Sequence, residues 1–130
     1  MKVAFTSTDG RTIDLHFGMA REYWIWEVAR DHAEFLTRVS PLLDEDDDEE
    51  DRTAARANAV AGCAIVCTQQ IGGPAAAKLV ARRIHPMKTG GDVPVDEMVR
   101  KLQQVLQGSP PPWLRKALGE LPPESPADDE

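Results

Sequence analysis

The order of strand-like and helix-like segments is the sequence feature that most limits how this chain can fold. Three segments rich in β-branched and aromatic residues come first, separated by turns, and helix-like and strand-like segments then alternate. The predicted elements are strands at 2–7, 23–28, 34–39, 63–67 and 84–88, and helices at 52–61, 74–83 and from Pro94 onward. This order predicts an α/β fold, with one mixed sheet of about five strands and helices packed on it.

The helix after Pro94 has the clearest helical periodicity in the chain. Its apolar residues recur at helical spacing and are Val95, Met98, Val99, Leu102, Val105 and Leu106. This spacing predicts core packing rather than a stripe of ligands. Three consecutive prolines at 110–112 then end regular structure, and residues 113–118 predict a short docking helix.

Length and composition predict one small domain in a reducing compartment. The chain has 130 residues, 42% of them hydrophobic, which suits a single domain over 1–119 followed by a disordered proline-rich and acidic tail at 120–130. No apolar run reaches the ~18 residues of a membrane span, so no membrane partner is expected. Two cysteines do not make a disulfide framework, and the chain opens on a strand rather than a signal peptide. We therefore expect a cytoplasmic protein.

Acidic residues are segregated in this chain. Thirteen of its 22 acids lie in the run 44–51 and in the tail, and the rest of the chain carries nine acids against 15 Lys and Arg. Because like charges repel, the run 44–51 predicts a solvated linker. The remaining basic body suits an anionic partner. Nucleic acid is not expected as that partner, because the basic residues are scattered and no aromatic residues alternate with them.

The segment Asp14-Leu15-His16-Phe17-Gly18 is the most informative motif for function. An imidazole can act as a base or bind a metal, and a glycine lets the backbone bend or lets another molecule approach. No serine, cysteine or carboxylate stands at a recognisable catalytic spacing from His16, which indicates a binding role rather than catalysis. The simpler alternative is that His16 only caps a turn.

The two cysteines differ in position. Four residues apart on a predicted strand, Cys63 and Cys67 would point to one face about 13 Å apart, too far for a disulfide or a shared metal ion. Cys63 is expected to be a buried apolar residue. Cys67 leaves the strand at its carboxyl end, where α/β sheets bind ligands, and faces a loop in which Gly72 and Gly73 open an anion-attracting helix. The alternative is a buried thiol beside glycines that merely form a tight turn.

Several of these motifs occur together in one known family. They are Asp14-x-His16-Phe17-Gly18, the aromatic strand at 23–26, Gly62-Cys63 before an apolar strand, a Gly-Gly-Pro-Ala segment opening a helix, and the ending Gly-Ser-Pro-Pro-Pro-Trp-Leu-Arg-Lys-Ala at 108–117. Over about residues 2–118, the chain resembles the NifX branch of the dinitrogenase iron–molybdenum cofactor biosynthesis family. That family also includes the NafY core domain, VnfX and the C-terminal extension of some NifB proteins.

The resemblance implies a ribonuclease H-like fold without nuclease activity. It also implies a carrier of iron–sulfur precursors of the iron–molybdenum cofactor, which takes the cluster made by NifB or a later intermediate to the scaffold protein of cofactor assembly. His16 would contact the cluster, with Phe17 and Gly18 as its supporting turn and Cys67 as a second candidate ligand. Arg21 would either pair with cluster sulfides or be an ordinary surface arginine. One imidazole, with or without one thiolate, coordinates a cluster weakly enough for a scaffold protein to displace it. A set of four thiolates would not be displaced in this way.

Two other classes of function compete with that of a carrier. A two-metal nuclease needs carboxylates converging from several strands, and the first half of the predicted sheet offers only Asp9, Asp14 and Glu27. We therefore expect no enzymatic activity. The remaining alternative is a protein-interaction chaperone for an apo-nitrogenase or scaffold subunit that binds no cluster itself and uses the helix at Trp113 and the acidic run.

Overall fold

A computed structural model of the chain describes residues 1–109 and 111–117; the predicted tail at 120–130 lies outside these residues. Its strands are β1 (Lys2–Thr6), β2 (Thr12–Ile13), β3 (Tyr23–Val28), β4 (Ala33–Val39), β5 (Ile65–Thr68), β6 (His85–Lys88) and β7 (Val93–Pro94). Its helices are α1 (Glu49–Ala59), α2 (Gly73–Ala81), α3 (Val95–Gln107) and α4 (Pro112–Ala117). A single 3₁₀ turn, Phe17–Met19, precedes β3.

Five of these strands form one mixed sheet in the order β4-β3-β1-β5-β6. β3 pairs antiparallel with both β1 and β4, whereas β5 pairs parallel with β1 and β6. The predicted α/β class, with one mixed sheet of about five strands and helices packed on it, is therefore confirmed. The short strands β2 and β7 pair antiparallel outside this sheet, and they were not predicted because two residues show no periodicity.

Helices cover both faces of the sheet. Because side chains alternate along a strand, Val3 and Phe5 of β1 pack with α3 in one cluster, which we call the α3-side core. Ala4, between them, packs on the opposite face with α1 and α2, in what we call the α1/α2-side core. The prediction that the apolar residues of α3 pack in the core is confirmed. The buried ones are Val95, Met98, Val99 and Leu102, and Val105 and Leu106 pack against the same core.

The prediction that both cysteines point to one face is wrong. β5 begins at Ile65, so Cys63 lies before the strand, just after Gly62 with its φ of 88°. Without continuous extended backbone, the strict alternation of a strand does not apply between the two positions. Cys63 packs in the α1/α2-side core and Cys67 in the α3-side core.

The acidic run is only partly a linker. The side chain of Asp48 accepts a 2.8 Å hydrogen bond from the amide of Asp51 and caps α1. Glu49, Glu50 and Asp51 form the first helical turn, so α1 begins three residues earlier than predicted. Carboxylates are favourable at that end of a helix because they face the positive end of its dipole, which offsets their mutual repulsion.

The predicted docking helix is α4, which lies beside the edge strand β6. Leu114 is fully buried in the α3-side core, and the Trp113 ring stacks on the His85 ring with centroids 4.0 Å apart. These two contacts attach α4 to the edge of the sheet. Among the helices of the described part, none has the length and apolar character needed to cross a membrane.

Candidate functional site

His16 lies in a loop whose backbone is bonded to the loop that follows β5. The carbonyl of Leu15 accepts a 3.0 Å hydrogen bond from the amide of Gln69, and the amide of Phe17 donates a 2.8 Å bond to the carbonyl of Gln70. His16 stands between these two bonds. The two segments singled out from the sequence, the His16 motif and the loop that opens α2, are therefore neighbours in the structure.

Two buried threonine hydroxyls form hydrogen bonds to this junction. Thr6 Oγ1 lies 2.8 Å and Thr68 Oγ1 3.1 Å from the carbonyl oxygen of Leu15, and the two hydroxyls are 2.9 Å apart. Both threonines end adjacent parallel strands and are fully buried. These threonines were not predicted as part of the site, because their contact joins two strands 62 residues apart along the chain.

The 3₁₀ turn after His16 is held on its other side by β3 and α1. Phe17 is buried and its ring lies 5.2 Å from that of Tyr23, whose hydroxyl donates a 3.0 Å bond to the Phe17 carbonyl. Arg56 of α1 donates a 2.6 Å bond from Nη1 to the carbonyl of Ala20. Burial raises the pKa of Tyr23, which keeps its hydroxyl protonated and able to donate. No local pattern marked Arg56, because its role depends on a contact 36 residues away along the chain.

The side chains on the outer surface of this turn are free of the packing beneath it. His16 is exposed, and its ring makes no hydrogen bond that caps the turn. A Cβ built on Gly18 would meet no atom within 4 Å, and Met19 is 70% exposed. The turn therefore presents an imidazole on a rigid backbone with open space beside it.

The N-terminus of α2 adds a second exposed feature to this edge of the molecule. Gly72 is the N-cap residue and provides no side-chain cap, and both it and Gly73 are exposed. These glycines follow the anchored Gln70 by two and three residues. Arg21, also exposed, follows the His16 turn on the way to β3. The free amide groups of α2 and the Arg21 guanidinium are two features of this edge that attract anions.

Cys67 does not join these residues. It is fully buried in the α3-side core, whereas Phe17 packs in the α1/α2-side core. Burial strongly raises the pKa of the Cys67 thiol, which disfavours the thiolate that would bind a metal. Burial also raises the pKa of Cys63, to about 11.

The carboxylates near the motif have structural partners. Asp14 accepts hydrogen bonds from the amide and hydroxyl of Thr8, at 2.9 and 2.7 Å. Asp9 accepts from the amide of Arg11 at 2.9 Å, and this bond lowers the pKa of its carboxyl. Within residues 1–109 and 111–117, no group of three or more His, Cys, Asp or Glu side chains could hold a metal ion.

Comparisons with known proteins agree on one family. A family profile described as dinitrogenase iron-molybdenum cofactor matches residues 1–105. Protein NifX of Herbaspirillum seropedicae is 40% identical, over 91% of this chain and 82% of its own length. Protein NifX of Sinorhizobium fredii is 32% identical, over the whole of this chain and 86% of its own length.

Two further similarities extend this result. Protein NifY of Azotobacter vinelandii is 36% identical over 94% of this chain, which spans 50% of that longer protein. The crystal structure of PH0822 superposes with a TM-score of 0.63 at 18% identity, covering 80% of this chain and 91% of that one, and so shares the fold. The chain therefore belongs to the dinitrogenase iron–molybdenum cofactor family, among its NifX and NifY proteins, and has a role in the biosynthesis of the nitrogenase iron–molybdenum cofactor.

Proposed function

We propose that this chain is a carrier that transiently binds iron–sulfur precursors of the iron–molybdenum cofactor, including the cluster made by NifB, and transfers them to the scaffold protein. The observation that carries the proposal is the exposed His16 ring between two backbone hydrogen bonds to the loop that opens α2. The backbone is fixed while the imidazole remains available, as a metal-binding side chain requires.

The surroundings of His16 suit an anionic cargo. Iron–sulfur clusters of this kind carry net negative charge, and the amide groups at the start of α2 together with Arg21 attract anions. Gly18 leaves space for a bulky cluster to approach the backbone. One imidazole coordinates iron without closing the coordination shell, so a scaffold with more ligands can displace it. Weak, open coordination is what transfer of the cluster requires.

The proposal assigns no catalytic step to this chain. The acids closest in sequence to the motif, Asp9 and Asp14, are engaged by backbone and hydroxyl donors of their own turn. We therefore place the chemistry of cofactor assembly on NifB and the scaffold, and propose that this protein holds and passes on the intermediate.

A matched pair of histidine variants tests this proposal. The protein is mixed anaerobically with the NifB-derived cluster, desalted, and examined for iron content and by electron paramagnetic resonance. We expect the wild type and His32→Ala to retain iron and His16→Ala to lose it. His32 is the control because it is exposed and pairs only with Asp31 in the β3–β4 turn, away from the His16 loop. If wild type retains no iron, the carrier function is wrong.

A second candidate function is a chaperone for apo-nitrogenase or the scaffold that binds no cluster. The observation that favours it is the exposure of apolar side chains on and after the edge strand β4: Phe35 and Leu36 are 45% and 40% exposed, and Leu42 is 91% exposed. Exposed apolar side chains of this kind can serve as protein contacts. Under this alternative, Leu42→Ser would weaken pull-down of the scaffold protein while His16→Ala would not, and iron would be absent from all variants.

A further inference from the structure

We propose that the Met19 thioether is a second ligand to the iron–sulfur cargo, acting together with the His16 imidazole. This inference rests on the proposed carrier function and adds a donor atom to it. Coordination places a sulfur lone pair on iron and releases no proton. Met19 lies three residues after His16, at the last position of the 3₁₀ turn.

The exposure of Met19 has no explanation in the packing of the fold. Met19 is 70% exposed, whereas Met98 is 8% exposed and packs in the α3-side core. Burying a methionine side chain stabilises a fold, so a fold that leaves one in water forgoes that stabilisation. Other large apolar residues are exposed elsewhere, notably Leu42 at 91%, but Met19 shares a short turn with the candidate ligand.

The turn holds the two side chains within reach of one cargo. The amide of Met19 donates a 3.0 Å hydrogen bond to the carbonyl of His16, which closes the turn. Such a closure keeps the two Cα atoms within about 7 Å of each other. Imidazole and thioether side chains starting from these points can contact the same iron or two neighbouring irons of a cluster. Gly18, between them, adds no side chain that would obstruct the cargo.

The backbone of the turn is fixed although its outer side chains are free. Phe17 is bonded to Gln70 at 2.8 Å on one side, and Ala20 to Arg56 at 2.6 Å on the other. Met19 therefore starts from a defined position, while its own side chain keeps the rotational freedom to meet a cluster. The fixed backbone lowers the entropy cost of ordering the two ligands when the cluster binds. The rotational freedom of the thioether side chain lets the cluster leave.

The donor chemistry suits a carrier. A thioether is neutral, soft and free of any titrating proton, and it serves as an axial ligand to haem iron in c-type cytochromes. It is also a weaker ligand than a thiolate, so it adds to the affinity that His16 provides for the cluster without preventing release. The buried Cys67 thiol does not reach this surface, and in the described part of the chain no group of three or more His, Cys, Asp or Glu side chains could hold a metal ion. Met19 is then the soft donor next to His16.

The test compares Met19→Leu with wild type, His16→Ala and Met87→Leu. Leucine keeps the apolar volume of Met19 but has no sulfur, and Met87→Leu makes the same change at a methionine on β6 that packs against the core. Dissociation of the NifB-derived cluster is timed by transfer to an excess of scaffold protein. We expect Met19→Leu to release it about 5–20-fold faster than wild type and Met87→Leu, a loss of roughly 1–2 kcal/mol.

A spectroscopic measurement separates coordination from apolar contact. In protein labelled at the methionine methyl carbons, the Met19 signal, assigned by its absence in Met19→Leu, should shift or broaden on cluster addition, and it should not do so in His16→Ala. Equal release from Met19→Leu and wild type, or an unchanged Met19 signal in the loaded protein, overturns the thioether ligand while iron retention dependent on His16 keeps the carrier function. Failure of the wild type to retain iron overturns both.

Discussion

The backbone amide of Phe17 donates a 2.8 Å hydrogen bond to the carbonyl oxygen of Gln70, and this contact sets the position of the candidate site. It joins the loop that carries His16 to the loop that starts α2, at the ends of the parallel strands β1 and β5. Because both partners are backbone atoms, the junction does not depend on which side chains stand at 69 and 70. Exposed binding loops on a rigid scaffold are a common arrangement in proteins.

Gly18→Ala tests whether the bound cluster occupies the space beside His16. A Cβ at Gly18 meets no protein atom within 4 Å and its φ is outside the left-handed region, so we expect the free energy of unfolding to change by less than about 0.5 kcal/mol. Cluster retention should nonetheless fall several-fold. Gly91→Ala, also in open space on the turn after β6, is the control and should alter neither quantity. Full retention by Gly18→Ala would mean that the cluster does not approach this backbone.

Arg56→Met tests the support of the turn from α1. The variant keeps an apolar stem but loses the 2.6 Å bond to the Ala20 carbonyl, which should cost about 1.5–3 kcal/mol of unfolding free energy. Cluster retention should weaken because the turn carrying His16 loses an anchor. Arg52→Met, on the same helix but facing the carbonyls of Asp44 and Asp47, is the control and should retain the cluster.

The single tyrosine of the chain reports on the same contact. Burial raises the pKa of Tyr23, and the neighbouring Arg56 guanidinium, with Nη1 3.3 Å from the hydroxyl, acts in the opposite direction by stabilising the tyrosinate. Removing that positive charge should therefore raise the pKa of Tyr23 further. An alkaline titration followed by ultraviolet absorbance measures it directly. A Tyr23 pKa that is equal in Arg56→Met and wild type would show that the two side chains do not interact in solution.

Much of the fold follows from local sequence, and the reasons are visible in particular elements. The segment 23–28 is rich in aromatic and β-branched residues and is β3 with the predicted bounds, because a strand of that composition is also held in the middle of the sheet by partners on both sides. The rule that α/β sheets bind ligands at the carboxyl ends of their strands pointed to the loop at Gly72 and Gly73, but the hydrogen bonds that join this loop to the His16 loop were not predicted.

The features that were missed depend on long-range contacts or on element boundaries. Arg56 and the pair Thr6 and Thr68 act through partners tens of residues away, which no local pattern reveals. The prediction for the face of Cys63 was wrong because β5 begins two residues after Cys63, at Ile65. The alternation of side chains along a strand therefore does not relate Cys63 to Cys67. For Asp48–Asp51, the prediction considered only like-charge repulsion, whereas capping of α1 by Asp48 decided the structure.

Gly10→Ala and Gly90→Ala separate two costs of replacing a glycine. Both positions have a left-handed φ, 81° and 76°, but a Cβ on Gly10 would lie 2.5 Å from the Trp24 ring, whereas one on Gly90 meets nothing within 4 Å. We expect Gly90→Ala to lower the unfolding free energy by about 1–2 kcal/mol from backbone strain alone. Gly10→Ala should lose about 1–3 kcal/mol more from overpacking. Urea unfolding followed by tryptophan fluorescence measures both, and equal losses would contradict the close contact with Trp24.

Cys67→Ala decides whether the buried thiol takes part in holding the cluster. Because Cys67 is fully buried in the α3-side core and burial raises its thiol pKa, we expect the variant to retain iron like wild type. It should lose about 1–2 kcal/mol of unfolding free energy through the small cavity it creates. In the wild type, a thiol reagent should leave both cysteines unmodified near neutral pH, because the thiolate is the reactive form. As the pH is raised towards the Cys63 pKa of about 11, Cys63 should form the thiolate and react with the reagent before Cys67 does. Iron lost from Cys67→Ala but kept by His16→Ala would move the ligand from the exposed turn to the core, and the site argued from His16 would be wrong.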